Sequence, residues 1–188
     1  MNLYFRFFAI LIKNLFHSET ARIHEETSLK MRVLPNDLDL NMHMNNGRFL
    51  TVMDIGRTDF IMKMGLLKTM LKEKWGGVAT AVNVVFLKPL NLFDKYELRT
   101  KLLSWDEDWF YLEQNFFRGE VFVASAIVKG AFLKGKKRLA PQLALQRVKG
   151  APERAPEFPR YLADLLEGEK SFIKNIKLKK KKPRGGPV

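Results

Sequence analysis

Between Asn36 and Asn46 this 188-residue chain gathers two carboxylates (Asp37, Asp39), four carboxamides (Asn36, Asn41, Asn45, Asn46) and one of its three histidines, His43. The run lies between two apolar stretches. Dense polarity beside a core is what a site requires, although a solvent loop can share the composition. Asp39 can serve as a general base or as a nucleophile. His43, four residues on, could orient that carboxylate or hand a proton to a leaving group. The backbone amides of Asn45 to Gly47 fall at the expected start of a helix, where positive charge gathers, and suit a developing oxyanion. Plainer assignments stand beside these: Asn45 as an N-cap, Asp37 as a turn residue, His43 as an imidazole that only satisfies backbone groups.

The elements around this run follow from periodicity. Residues 27–34 alternate, with Leu29, Met31 and Val33 on one face and Lys30 and Arg32 on the other, and Pro35 stops the strand. A helix from Asn45 to Met64 carries Phe49, Val52, Met53, Gly56, Phe60 and Met64 at helical spacing; glycine in mid-helix implies close approach of the backbone to a sheet. Asp54 and Arg57, at i,i+3, read as an ion pair. Gly65 ends this helix, and a shorter one runs from Leu66 to Lys74, up to the Gly76-Gly77 break. Val78–Leu87, valine-rich and uncharged, reads as a central strand buried on both faces. Lys95–Leu102 alternates without a fault, and 109–117 with 121–133 form a hairpin around Arg118-Gly119. The order is β, α, then four β.

Composition bounds the rest. With 46% hydrophobic residues and fifteen Phe, the chain can bury one sizeable core. There is no cysteine, which excludes disulfides, thiolate metal sites and cysteine nucleophiles. No glycine-rich phosphate loop or metal-ligand spacing is present, so neither metal nor cofactor is expected. Of the net charge of +13, the stretch from Lys170 onward supplies +8, leaving a mildly basic body. Without aromatics for base stacking among those lysines, nucleic-acid binding is disfavoured. Four regions are expected: 1–17 an apolar amphipathic helix, 27–139 the folded domain, 140–173 a linker and C-terminal helix, and 174–188 a disordered basic tail.

For residues 1–17 the favoured reading is a helix in the membrane interface, its Phe-rich face down and Arg6 and Lys13 reaching headgroups. Packing against the body or a partner, or a signal or spanning segment, are the alternatives. The run is short of the ~20 apolar residues a span needs. Together with the basic tail it predicts a cytoplasmic protein attached peripherally to a membrane.

Asp37-Leu38-Asp39-Leu40-Asn41-Met42-His43-Met44-Asn45-Asn46-Gly47-Arg48-Phe49-Leu50 resembles the D-x-D-x-N-x-H-x-N-N-x-x-Y-L signature of hotdog-fold thioesterases, of both the 4-hydroxybenzoyl-CoA type and the plant acyl-ACP type. Within them it most resembles the thioesterase superfamily member six branch, where R-V-L-P-x-D-L-D-x-x-x-H-M-N-N recurs as at Arg32 to Asn46, and Leu103 to Glu113 resembles that branch too. The likeness spans roughly residues 27–135. It implies an α+β hotdog fold, a long central helix wrapped by a curled antiparallel sheet of about five strands. It also implies Asp39 as catalytic carboxylate with Asn41 and His43 beside it, and Asn45, Asn46 and Gly47 at the substrate. The implied reaction is hydrolysis of a fatty acyl-CoA or acyl-ACP, in a homodimer or larger homo-oligomer with the pocket between subunits. Two positions depart from the pattern: Met42, where many relatives have Gly, and Phe49, where Tyr is common. They favour the alternative, a non-catalytic acyl-thioester-binding or scaffolding protein.

Overall fold

The structure is a computed structural model that describes residues 2–16, 22–23, 25–148 and 150–181. His17, His24 and the end of the basic tail lie outside the described residues. The chain divides into two compact units, Met1–Ala155 and Pro156–Val188.

The first unit is organised around helix α2 (Asn46–Lys63). Phe49, Val52, Met53, Gly56 and Phe60 recur on one side of it, and all are buried. Against that side curls an antiparallel sheet of β1 (Thr27–Arg32), β2 (Trp75–Phe86), β3 (Lys95–Trp105), β4 (Phe110–Arg118) and β5 (Val121–Lys134), in the order β1-β3-β4-β5-β2, with β6 (Lys137–Leu139) added on β5. Register shifts at Ala79/Ala81, Leu102/Ser104 and Phe116/Phe117 mark irregularities of the kind that bend and twist a sheet. A long helix held in a curled antiparallel sheet is the hotdog fold that the motif implied. The short helix α3 (Leu66–Glu73) follows Gly65, which is left-handed at φ 72° as a helix-ending glycine should be.

Two apolar clusters fill the interface. One gathers Phe49, Val52, Met53, Leu98 and Phe116 around the start of α2; the other gathers Phe60, Met64, Trp75, Trp105 and Phe132 around its end. Gly56 lies between them along the helix. A Cβ there would stand 2.6 Å from Leu98 Cδ2 and about 3 Å from Gln114 Nε2 and Thr100 Oγ1, so the expected close approach to the sheet is present.

Three expectations need correction. The stretch read as a central strand is β2, which begins at Trp75, takes in both glycines of the expected break, and forms one edge of the sheet. Its valine-rich, uncharged sequence signals burial on both faces, but Val78, Val82, Val85 and Phe86 are exposed. The stretch 140–159 is not all linker: Pro141, at the first helical position, opens α4 (Pro141–Leu145). In the second unit α5 (Arg160–Lys181) runs on through residues expected to be a disordered tail. Leu, Ile and Lys are competent helix formers and no proline intervenes before Pro183.

Helix α1 (Asn2–Phe16) belongs to the first unit and lies against it. Arg6, Phe7, Ile10 and Leu11 are partly covered, whereas Phe5, Phe8 and Ile12 face outward. Arg6 does not reach out to headgroups: its guanidinium is turned inward onto Asp37. A charge that a helix turns toward the body it packs on must be met there. No helix among the described residues is long and apolar enough to cross a membrane.

Candidate functional site

The polar run folds into a closed loop at the entrance to α2. Pro35–Asp37 form a 3-10 turn, and Leu38 and Met44 then pair as an isolated antiparallel bridge, which draws Asp39 to His43 into a tight turn. Asp39 fixes that turn from both ends. Its backbone N–H donates to the His43 carbonyl (2.8 Å), and its Oδ1 accepts from the backbone N–H of Asn41 (2.8 Å) and of His43 (3.3 Å). Oδ2 has no hydrogen-bond partner among the described residues, so one oxygen holds the loop while the other is available for chemistry. Met42 sits at φ 60°, the left-handed region that favours glycine. Glycine would adopt that conformation without strain; here a methionine takes it and points its side chain outward.

The loop is stitched to its surroundings. Met44 N–H donates to Leu90 O (2.8 Å), His43 bridges Asn91, and Asn45 N–H donates to Asp37 O (2.8 Å). Asn91 N–H in turn donates to the Asp94 carboxylate (2.8 Å), which also accepts from Arg118 Nη1 (2.8 Å). Burial alone would lift the Asp94 carboxyl, but the Asn91 N–H and the Arg118 guanidinium outweigh it and hold the group below its ordinary range.

Of the amides expected at the helix start, two are already used. Gly47 N–H donates to Asn45 Oδ1 (2.8 Å), the N-cap bond, and Asn45 N–H goes to Asp37. Asn46 N–H alone is without a partner among the described residues, so the oxyanion expectation narrows to that one group. Asn41, His43, Asn45, Asn46 and Gly47 are all exposed and Asp39 is half-buried. The His43 imidazole makes no hydrogen bond to Asp39; His43 meets Asp39 only through its own backbone N–H and carbonyl. Phe49 is a core residue, its ring 4.9 Å from Phe116 and 5.1 Å from Phe86.

Asp37 is the turn residue it was expected to be, with more attached to it. Its carboxylate is buried and accepts from Leu34 N–H (2.9 Å) and from Arg6. Arg48 approaches it at 3.9 Å and donates to Asn36 O (2.9 Å). No local pattern marks Arg6 or Arg48 as its partners, since one lies 31 residues upstream and the other inside the next element.

A cavity of about 260 Å³ opens beneath the second half of α2, floored by Leu102, Leu112, Val128 and Phe132 and walled by Phe60 and Met64. Its polar lining is the pair Asp54 and Arg57, with Thr58. Arg57 is more than a surface ion-pair member: besides Asp54 it donates through Nη1 to Gln114 Oε1 (2.7 Å), and Gln114, fully buried, donates to Met53 O and Thr100 Oγ1 (3.0 Å each). Burial lowers the Arg57 pKa, opposed by Asp54. Asp39 and His43 do not line this cavity; Gly77 to Ala79, in the first half of β2, do. Among the described residues no three His, Asp or Glu side chains converge as a metal site.

The sequence model of the thioesterase-like superfamily matches residues 33–167. Protein THEM6 of Xenopus laevis is 28% identical over 169 residues, covering 89% of this chain and 80% of that protein. A probable thioesterase of Saccharomyces cerevisiae is 28% identical over 160 residues, covering 75% and 69%. Among solved structures, a Staphylococcus aureus protein determined in complex with CoA superposes with a TM-score of 0.60 at 15% identity, covering 74% of this chain and 93% of that one, a likeness of fold.

Proposed function

The chain belongs to the thioesterase-like superfamily, and from that premise we propose that it is a hydrolase cleaving a fatty acyl-CoA, or acyl-ACP, into free acid and thiol. The observation that carries the reading is the unpartnered Asp39 Oδ2 on a loop closed against the start of α2, with the N–H of Asn46, the first residue of that helix, free among the described residues. Asp39 acts as base or nucleophile. As a base it takes a proton from water while the oxygen attacks the thioester carbonyl, and the oxyanion settles on Asn46 N–H. Collapse breaks the C–S bond, and the thiolate leaves with a proton returned from Asp39 or supplied by His43. Asn41, Asn45 and Gly47 keep the turn and the helix start in place around the acyl group.

The site is completed by a second copy. β2 is twelve residues without a charge or a proline, and its outer edge pairs with no strand among the described residues. Such an edge is an aggregation hazard unless it is covered. Antiparallel pairing with the same strand of another chain sets the end of one β2 against the start of the other. The Asp39 loop is tied to Leu90 and Asn91, just past the end of β2, and the first half of β2, Gly77 to Ala79, lines the cavity. The carboxylate of one copy then faces the acyl cavity of the other. Exposed Leu40, Met42, Leu87 and Phe93 surround the loop and suit the same contact. Peripheral contact with a membrane, where acyl substrates partition, falls in the first unit to the outward Phe5, Phe8 and Ile12; the lysines of α5 are, by themselves, a second and independent weak anchor for an anionic surface.

Release of free thiol from a panel of acyl-CoAs tests the reading, with Asp39→Asn and His43→Ala as controls. Turnover abolished by Asp39→Asn supports the hydrolase. Saturable acyl-CoA binding with wild-type thiol release no faster than that of Asp39→Asn would instead establish the binding-protein alternative, which Met42 and its strained turn favour.

A further inference from the structure

We propose that Arg6 is a positioning residue for the candidate site: its guanidinium, reaching in from α1, holds the Asp37 carboxylate and through it the loop that carries Asp39 and leads into α2 at Asn46. The inference rests on the reading of that loop as a thioesterase site.

The geometry is specific. Arg6 Nη2 donates to Asp37 Oδ2 at 2.5 Å and Nη1 to Oδ1 at 3.3 Å, a two-pronged grip of the kind only arginine makes. Nη2 also donates to Arg32 O (3.0 Å), the last carbonyl of β1. One side chain therefore pins the exit of β1 and the 3-10 turn together. The pair is sheltered: the side chains of Arg6 and Asp37 are 12% and 2% exposed. Arg48, the other cation near Asp37, stands at 3.9 Å and is one-third exposed, and it cannot replace the grip.

From Asp37 the hold passes to the reacting groups in one step each. Its carbonyl accepts from Asn45 N–H, which fixes the N-cap and the direction in which the Asn46 amide points. Leu38, its neighbour, pairs with Met44 and closes the turn built on Asp39. Without Arg6 a buried carboxylate loses its principal counter-charge, and a charge so left either draws in water or moves out toward it. Either response shifts Asp39 relative to Asn46, and misplacement of a reacting group by about 1 Å can cost about a hundredfold in rate. Helix α1, outside the family signature, is thereby part of the site's scaffold.

The test uses the full-length chain as wild type, Arg6→Ala, Arg6→Gln and Arg6→Lys, with two readouts: amide hydrogen exchange and the kcat and KM of thiol release. Arg6→Ala is expected to speed exchange at Met44 and Asn45 at least about tenfold, on the scale set by breaking a buried ion pair, while β4 and β5 stay protected. The expected kinetic change is a fall in kcat with KM little altered. Arg6→Lys should recover part of both effects, and Arg6→Gln, which keeps a donor without the charge, should lie closer to Arg6→Ala. If Arg6→Ala does not fold, Arg6→Gln decides. Wild-type exchange in that loop overturns the proposal, and so does an equal rise in β4 and β5, which would make Arg6 a general stabiliser. A wild type that releases no thiol sinks the hydrolase reading but leaves the exchange result to judge the grip.

Discussion

Gln114 is the buried polar tie between α2 and the sheet, and its replacement by leucine isolates what that tie is worth. The side chain is fully buried; it accepts a charge-assisted bond from Arg57 at 2.7 Å and donates to Met53 O and Thr100 Oγ1 at 3.0 Å. The first bond contributes about 1.5–3 kcal/mol and the two neutral ones about 1 each. Leucine returns about 1 kcal/mol through its larger apolar surface. The expected net loss for Gln114→Leu is about 3 kcal/mol, or about 6–12 °C in Tm for a chain of this size. Urea unfolding followed by tryptophan fluorescence reads it directly, since Trp75 and Trp105 sit in the adjoining apolar cluster. Gln114→Glu keeps an acceptor for Arg57 but loses both donated bonds, so it should fall between wild type and leucine. A loss under about 1 kcal/mol for Gln114→Leu would refute the reasoning, because polar groups stranded at this depth cannot be that cheap.

Other consequences are equally open to measurement. Met42→Gly relieves a left-handed residue and should raise stability by up to about 1 kcal/mol, whereas Met42→Val should cost about 1–2, both by chemical denaturation. Asp94 is held below its unfolded pKa, so its contribution is complete above about pH 4 and is lost as pH falls through the folded value; stability curves of wild type and Asp94→Asn should differ at neutral pH and converge in acid. Pairing of β2 between copies predicts a dimer in sedimentation. Val82→Lys, on an exposed position of that edge, should give a folded monomer with little turnover.

The elements were legible wherever one periodicity ruled. The alternation of 27–34 and 95–102 and the helical spacing from Phe49 to Met64 became β1, β3 and α2, because each buries one side only. β2 misled because a valine-rich, uncharged composition reads as burial on both faces, whereas Val78, Val82 and Val85 are exposed. α5 outran the expected tail because a lysine-rich composition marks solvation and does not decide between helix and coil. In the site, types and spacing located the loop and the N-cap. They could not show that Gly47 N–H would be spent on Asn45 or that the His43 ring would stay clear of Asp39, since both depend on how the turn closes. Arg6, read as a headgroup contact, turned inward because its acceptor, Asp37, is buried and 31 residues away. Truncation of residues 1–17 therefore cannot serve as a clean test of membrane attachment, because it also removes the hold on Asp37.

The rate of thiol release by Asp39→Asn, on the acyl-CoA that wild type cleaves fastest, bears most directly on the account. Asparagine keeps the oxygen that accepts from Asn41 and His43 but cannot take a proton, so the loop should stay closed while kcat falls by about 10²–10⁴. A folded Asp39→Asn protein that turns over at the wild-type rate would mean that the carboxylate only shapes the turn, and that the chemistry lies elsewhere.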